Sequence, residues 1–481
     1  MTTPSDRGPG RDHGRDPRRG PRKQGPQRRP GPADPAREAA FALLRAVGER
    51  DAYANLVLPG LLRERGLSGR DAAFATELGY GTLRGQGTYD VIVGACVDRP
   101  VEKLDPPVLD VLRLGAHQLL AMRTPSHAAV SASVELCRAM VGPGPAGLVN
   151  AVLRKVSARD LEAWVAELAP DPAVDRAGYL ALRHAHPRWV VSAFADALGG
   201  DWDQVDAALA ADNVPARVTL AARPGRATRD DLVAAGAEAA RWSRVGAVLP
   251  GGDPGDLALV RSGAAGVQDE GSQLVTLALA DAPLNGPDTR WLDVCAGPGG
   301  KASLLAGLAG ERGARLVAAE VAPHRARLVA TALRGVGSAL PIVADGTAPA
   351  WREASFDRVL VDAPCTGLGA LRRRPESRWR REPGDVGNLF DLQRKLLVGA
   401  IAAARPGGLI AYVTCSPHPG ETRGVLYAAV ADAARQELGT EFVDARPYFP
   451  GVPELGDGPH VQLWPHRHGT DAMFLALLRR R

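Results

Sequence analysis

The chain has 481 residues, enough at roughly 100–200 per domain for two to four domains, which excludes a peptide or mini-scaffold. Apolar residues at 45% and charged residues at 23% are ordinary for a folded protein, and no run of about 18 apolar residues marks a membrane span or a secretory signal, so a cytoplasmic protein is expected. The net charge of +5 belongs to residues 1–34, where nine Arg or Lys face four Asp, while the remainder carries fifty charges of each sign.

Residues 1–34 also hold seven Pro and six Gly, and this composition predicts a disordered basic tail, suited either to phosphate contacts or to solubility alone. From Pro35 to Ser157 apolar residues recur at three- and four-residue spacing, as in Phe41, Leu44 and Val47. Breaks at Gly60, Gly66-Leu67-Ser68, Pro106-Pro107, Thr124-Pro125 and Gly142-Pro143 divide the stretch into some six or seven helices, an all-α domain over 35–158 in which His127 and Cys137 read as helix-surface or core residues. A helical connector follows over 159–212, anchored by Trp164, Trp189, Phe194 and Trp202. Over 213–267 a small α+β subdomain is expected, with strands at 217–220 and 245–249 around a helix near 228–240, then a further strand-like run at 257–260.

After Gln268 short apolar runs alternate with longer amphipathic ones. Strands are expected at 291–295, 315–320, 341–344, 359–362 and 409–414, and helices at about 300–309, 322–334, 388–404 and 420–434. Such alternation predicts a parallel, doubly wound α/β sheet over 268–481, with ligands held beyond the carboxyl ends of its strands. The five cysteines (96, 137, 295, 365, 415) are odd in number and form no C-x-x-C pair, which argues for reduced thiols and against a disulfide framework or a metal site.

Every chemically informative segment falls at one of those strand ends. Asp293 to Lys301 (DVCAGPGGK) follows the first strand and opens a helix, allowing close approach of a ligand to the backbone, but it matches neither G-x-G-x-x-G nor a Walker loop, so a nucleotide hydrolase is disfavoured. Glu320 ends the second strand, where a carboxylate can accept from two ribose hydroxyls, and Asp345 ends the third; together with the glycine loop they describe a pocket for an adenosyl cofactor. The fourth strand runs into Asp362-Ala363-Pro364-Cys365 and the fifth into Thr414-Cys415-Ser416. Two cysteines at one sheet edge beside that pocket point to nucleophilic chemistry.

In combination these segments, with Gln268 to Leu274 (QDEGSQL), Arg374-Pro375-Glu376 and Trp379-Arg380-Arg381, closely resemble the RNA 5-methylcytosine methyltransferases of the Sun/Nop2 family, in particular the bacterial group that modifies small-subunit ribosomal RNA. The helical domain resembles the NusB-type RNA-binding module. The resemblance implies a multi-domain protein, an all-α NusB-like domain followed by a Rossmann-like class I methyltransferase domain, which uses S-adenosylmethionine on 16S ribosomal RNA; a monomer without membrane attachment is expected. It assigns the cofactor to Cys295, Ala296, Gly297, Pro298, Gly299, Gly300, Lys301, Glu320, Asp345 and Asp362. It makes Cys415 the nucleophile and gives Cys365 a part in product release, as base or through a water. The family often has an E-N-E-like triplet after the nucleophile, whereas here Glu421 precedes Thr422-Arg423.

The chemistry accounts for these residue types. Carbon 5 of cytosine is too poor a nucleophile for direct methylation, so a thiolate must first add to carbon 6, and a free thiol with a pKa near 8.5 needs an environment that lowers it. Asp362 is suited to hydrogen-bond the ring at nitrogen 3 or the amino group. A base attacked on its face must be unstacked, and the Arg372–Arg374 and Arg378–Arg381 cluster is expected to follow phosphates near it. The alternatives are the same chemistry on another structured RNA such as tRNA, a methyltransferase acting on amino groups, which would need no thiol, and a non-catalytic RNA-binding assembly factor.

Overall fold

A computed structural model describes residues 34–50 and 52–481, so the expected basic tail, apart from Asp34, lies outside the described residues. The first part consists of α-helices Pro35–Arg50, Ala54–Glu64, Gly69–Cys96, Pro106–Leu120, Ser126–Met140 and Ala146–Val156 around one apolar core. The break expected at Gly60 is absent. Helix Ala54–Glu64 runs through Pro59 and Gly60, because Leu58, 3% exposed, seats the helix in the core and tertiary packing outweighs local propensity. His127 is exposed and Cys137 buried.

Four connector helices follow, Leu161–Leu168, Arg176–Arg183, Arg188–Ala197 and Trp202–Asp212. Asp160, Asp175 and Asp201 cap three of them by accepting from first-turn backbone N–H groups. Phe194 meets Trp464 edge-on at 5.7 Å, which docks the connector on the last domain.

The small subdomain is an antiparallel sheet in the order β2-β3-β1-β4, from β1 (Val218–Ala222), β2 (Glu238–Ala239), β3 (Gly246–Leu249) and β4 (Ala265–Val267). The run at 257–260 is not a strand. It forms the helical turn Ala258–Arg261, packing Leu257, Leu259 and Val260 against the subdomain core, and the edge position falls to β4.

The last domain holds a mixed sheet of β5 (Arg290–Asp293), β6 (Arg315–Glu320), β7 (Ala339–Val343), β8 (Phe356–Asp362), β9 (Ala404–Thr414), β10 (Thr440–Val443), β11 (Val461–Gln462) and β12 (Phe474–Arg480). Its order is β10-β12-β9-β8-β5-β6-β7, with β11 beside β12; β5 to β9 are parallel, and β12 runs antiparallel to β9. Apolar cores cover both faces, as buried parallel strands such as β8 require. The order reverses at β5, between β6 and β8, so the ends of these three strands border the crevice where such sheets bind ligands. Among the described residues no helix is long and apolar enough to cross a membrane.

The arginine cluster after Cys365 does a different job from the one expected. Arg378 is fully buried and donates to Arg84 O, Ala185 O and Asn213 Oδ1, which joins the first helices, the connector and the last domain. Arg372 and Arg373 pair with Asp269 and Asp471, and Arg380 donates to Val47 O and Ala52 O. Glu376 accepts from Ala54 N at 3.1 Å. Arg378 and Arg380 thus clasp the domains together, Arg372 and Arg373 brace the last domain internally, and Arg374, exposed, lies over the Tyr53 ring at 5.0 Å from its centroid. The segment 268–274 is likewise structural: Glu270 accepts from Trp242 N and Ser243 N, and Gln273 Nε2 donates to Leu220 O, which fastens the small subdomain to the last domain.

Candidate active site

The glycine loop leaves β5 at Asp293 and enters helix Gly300–Glu311. Its path is fixed by Ala296 N donating to Ala319 O at 2.8 Å and by Cys295 N donating to Asp293 Oδ1 at 3.2 Å. Gly297 approaches the end of β6 so closely that a Cβ there would lie 2.2 Å from Glu320 Oε2, and its N–H donates to that oxygen at 3.1 Å. Gly299 has φ +112°, a conformation L side chains rarely adopt, and a Cβ on it would lie 2.5 Å from Ala332 Cβ.

Glu320 is 3% exposed and holds the turn after β6 through its Oε1, which accepts from Ala322 N at 3.0 Å. Each of its oxygens keeps a further lone pair for a ligand. Asp345 lies two residues past β7, exposed, with its carboxylate accepting from Thr347 N and Thr347 Oγ1; the Thr347 N–H holds its pKa below the usual range. Asp293, which the sequence reading left as the first residue of the loop, is fully buried with Oδ2 unpartnered. Burial pushes its pKa up to about 8, and the neighbouring carboxylates Asp362 and Glu320 act in the same direction. The pocket therefore holds a buried carboxyl with an unpartnered oxygen beside the carboxylates of Glu320 and Asp362, which face Arg325 and Lys301; these oxygens suit ribose hydroxyls, and a cationic ligand arriving there would favour the ionised form of Asp293.

Beside it, Lys301 Nζ donates to Asp362 Oδ2 at 2.9 Å. Burial works against the Lys301 ammonium, but the Asp362 carboxylate overrides it and raises its pKa.

The β8 and β9 loops bring Cys365 Sγ and Cys415 Sγ to 3.4 Å. The hydrogen bond between them lowers the Cys415 thiol and raises Cys365 well above the ordinary range. Two neighbours support that direction: the Lys301 charge favours the Cys415 thiolate, and the Glu421 carboxylate disfavours a thiolate at Cys365. These directions favour Cys365 as the donor of the pair and Cys415 as the acceptor. Burial raises Cys295, which sits in the loop as a neutral thiol. Asp362 thus adjoins both the thiol pair and the glycine loop, whereas Asp345 is turned to its own loop. Among the described residues no group of three or more His, Cys, Asp or Glu is arranged to hold a metal.

The model of the family described as 16S rRNA methyltransferase RsmB/F matches residues 279–479, and that of the NusB family matches residues 34–158. A putative methyltransferase of Mycobacterium tuberculosis is 56% identical over 462 residues, covering 96% of this chain and 99% of its own length. Ribosomal RNA small subunit methyltransferase B of Pseudomonas putida is 33% identical over 420 residues, 84% of this chain and 92% of its own. Among solved structures the protein PH0851 superposes with a TM-score of 0.75 at 21% identity, over 94% of this chain and 100% of its own. NSun6 from Pyrococcus horikoshii with SFG superposes with a TM-score of 0.51 at 16% identity, over 61% and 98%. The two structures share the fold; the sequence relatives, aligned almost end to end across both the helical and the catalytic parts, show that this chain belongs to the RsmB/F family of 16S rRNA methyltransferases.

Proposed function

We propose that the protein transfers a methyl group from S-adenosylmethionine to carbon 5 of a cytosine in small-subunit ribosomal RNA, through a covalent bond between Cys415 and carbon 6. The observation that carries this reading is the pair of thiols 3.4 Å apart beside Lys301 and Asp362, since methylation of an amino group needs no thiol. The cofactor would be held by the loop 295–301, Glu320 and Asp362, with Asp293 Oδ2 as an acceptor for its ammonium; Asp345 would join by turning from Thr347. When bound, it supplies a methyl on a positively charged sulfur, the electrophile that an activated ring carbon can take.

Cys415 as thiolate adds to carbon 6, and the electron pair displaced within the ring makes carbon 5 nucleophilic. Asp362 accepts from the exocyclic amino group and fixes the ring, while the Lys301 ammonium beside it offsets the negative charge that reaches the ring. Once carbon 5 has gained the methyl it must lose a proton, after which the bond from Cys415 to carbon 6 breaks and returns its electron pair to sulfur. Cys365 is suited to this second half. The largest influence raising its pKa is its hydrogen bond to Cys415, and a Cys415 sulfur bonded to carbon no longer draws that proton, so Cys365 ionises more readily once the adduct has formed. NSun6, which adopts this fold, was solved with SFG in the structure, and relatives named as ribosomal RNA small subunit methyltransferase B favour 16S ribosomal RNA over tRNA as substrate. Bisulfite sequencing of ribosomal RNA from cells with and without the protein tests the reading: one small-subunit cytosine should lose its methyl mark, and an unchanged pattern would contradict it.

A further inference from the structure

The two thiols stand on separate loops, and what holds those loops together is a buried carboxylate outside both. Glu421, in the turn Gly420–Gly424, is fully buried. Its Oε1 accepts from Thr366 N at 2.7 Å and from Gln393 Nε2 at 3.2 Å, and its Oε2 accepts from Thr366 Oγ1 at 2.5 Å. Thr366 directly follows Cys365. Gln393 Nε2 also donates to Pro364 O at 2.8 Å, so both residues flanking Cys365 are fastened. The backbone of the same residue is tied to β9, where Tyr412 donates its hydroxyl hydrogen to the Glu421 main-chain carbonyl at 2.7 Å. Thr366 Oγ1 and Ser416 Oγ lie 3.3 Å apart, which links the arrangement to the residue after Cys415.

A buried carboxylate met by three neutral donors, with no Lys or Arg paired to it among the described residues, costs desolvation that an apolar contact would avoid. Its hydrogen bonds, moreover, converge on the peptide units around one side chain.

We propose that Glu421, backed by Gln393, is a positioning residue that holds the Cys365 thiol against Cys415 and is required for release of the methylated RNA, not for formation of the adduct. The inference rests on the two-cysteine reading above. Addition and methyl transfer take place at Cys415 and the cofactor pocket, which Glu421 does not touch; displacing Cys365 removes the hydrogen bond that lowers the Cys415 thiol and slows addition without preventing it. Release needs Cys365 within reach of the reacting ring, and a displacement of about 1 Å can cost about a hundredfold in rate.

The test is single-turnover methylation of ribosomal RNA, with the protein–RNA adduct followed on a denaturing gel and cofactor affinity measured by calorimetry. Glu421→Ala should transfer the methyl group yet retain the adduct, lowering kcat about a hundredfold with cofactor affinity unchanged. Glu421→Gln should release nearly as fast as the natural protein, because its carbonyl still accepts from Thr366 N and its amide donates to a Thr366 hydroxyl that turns toward Ser416. Should the Ala variant fail to fold, Gln393→Leu, which frees Pro364 O and removes one donor from the Glu421 carboxylate, must also retain adduct. Prompt release by Glu421→Ala, or by Gln393→Leu in its place, overturns the proposal, as does a Glu421→Gln protein that stalls like the Ala variant. Cys365→Ala and Cys415→Ala run alongside: if neither alters turnover, the covalent reading has failed; if both behave as expected while the Glu421 variants release normally, only this inference has.

Discussion

Lys301 Nζ lies 2.9 Å from Asp362 Oδ2, and the pair sits beside the two thiols, so one ammonium both neutralises the carboxylate and favours a thiolate at Cys415. Removing the charge by Lys301→Met should raise the Cys415 pKa. The thiolate fraction at neutral pH then falls, and the pH profile of Cys415 alkylation by iodoacetamide shifts to higher pH. An unshifted profile would show that the Cys365 hydrogen bond acts alone.

Glu320 accepts from the glycine loop at Gly297 N, and the proposed function gives it a ribose to hold. Glu320→Ala should weaken S-adenosylmethionine binding by about 1–3 kcal/mol, the cost of leaving buried donors unpaired. Calorimetry on folded protein checks this, and equal affinity in both proteins would refute the assignment of the pocket.

Asp293 makes stability fall with rising pH. Its pKa is about 8 in the folded chain against an ordinary 3.8. Between those values the folded protein keeps a proton that the unfolded chain has released, so folding is progressively disfavoured from about pH 4 to about pH 8. Asn cannot ionise and still offers an oxygen to Cys295 N. The melting temperature of ligand-free Asp293→Asn should therefore decline less over that window than that of the natural protein; parallel declines would contradict the account.

Arg378 donates to groups from the NusB-like helices, the connector and the residue that follows it. Arg378→Ala should cost about 3 kcal/mol of stability through the acceptors left unpaired. Limited proteolysis should then cut the connector over 159–212 first, and wild-type resistance there would argue against the clasp.

These arginines also show where sequence reading stops. A run such as Arg372-Arg373-Arg374 signals charge, but whether that charge meets solvent, RNA or a carboxylate depends on Asp269 and Asp471, each about 100 residues distant. The strands β5 to β9 were legible because buried parallel strands read as short apolar runs separated by helices. The antiparallel strands β10 and β12 carried no motif, and the turn at 257–260 is too short for period to separate helix from strand. At the site, the glycine loop, Glu320, Asp362, Cys365 and Cys415 stood out because residue type and strand-end position coincide. Glu421 stood out only as a departure from the family triplet, because its burial against Thr366 and Gln393 is announced by no local pattern.

The most direct test of the covalent account separates the two cysteines, to which that account gives opposite ends of one intermediate. Purified Cys415→Ala and Cys365→Ala proteins would be incubated with ribosomal RNA and S-adenosylmethionine and run on a denaturing gel. The account predicts neither methylation nor adduct for Cys415→Ala, a persistent protein–RNA species for Cys365→Ala, and none for the double variant. An adduct that accumulates in Cys415→Ala but not in Cys365→Ala would reverse the roles, and unimpaired turnover in both would contradict covalent catalysis by this protein.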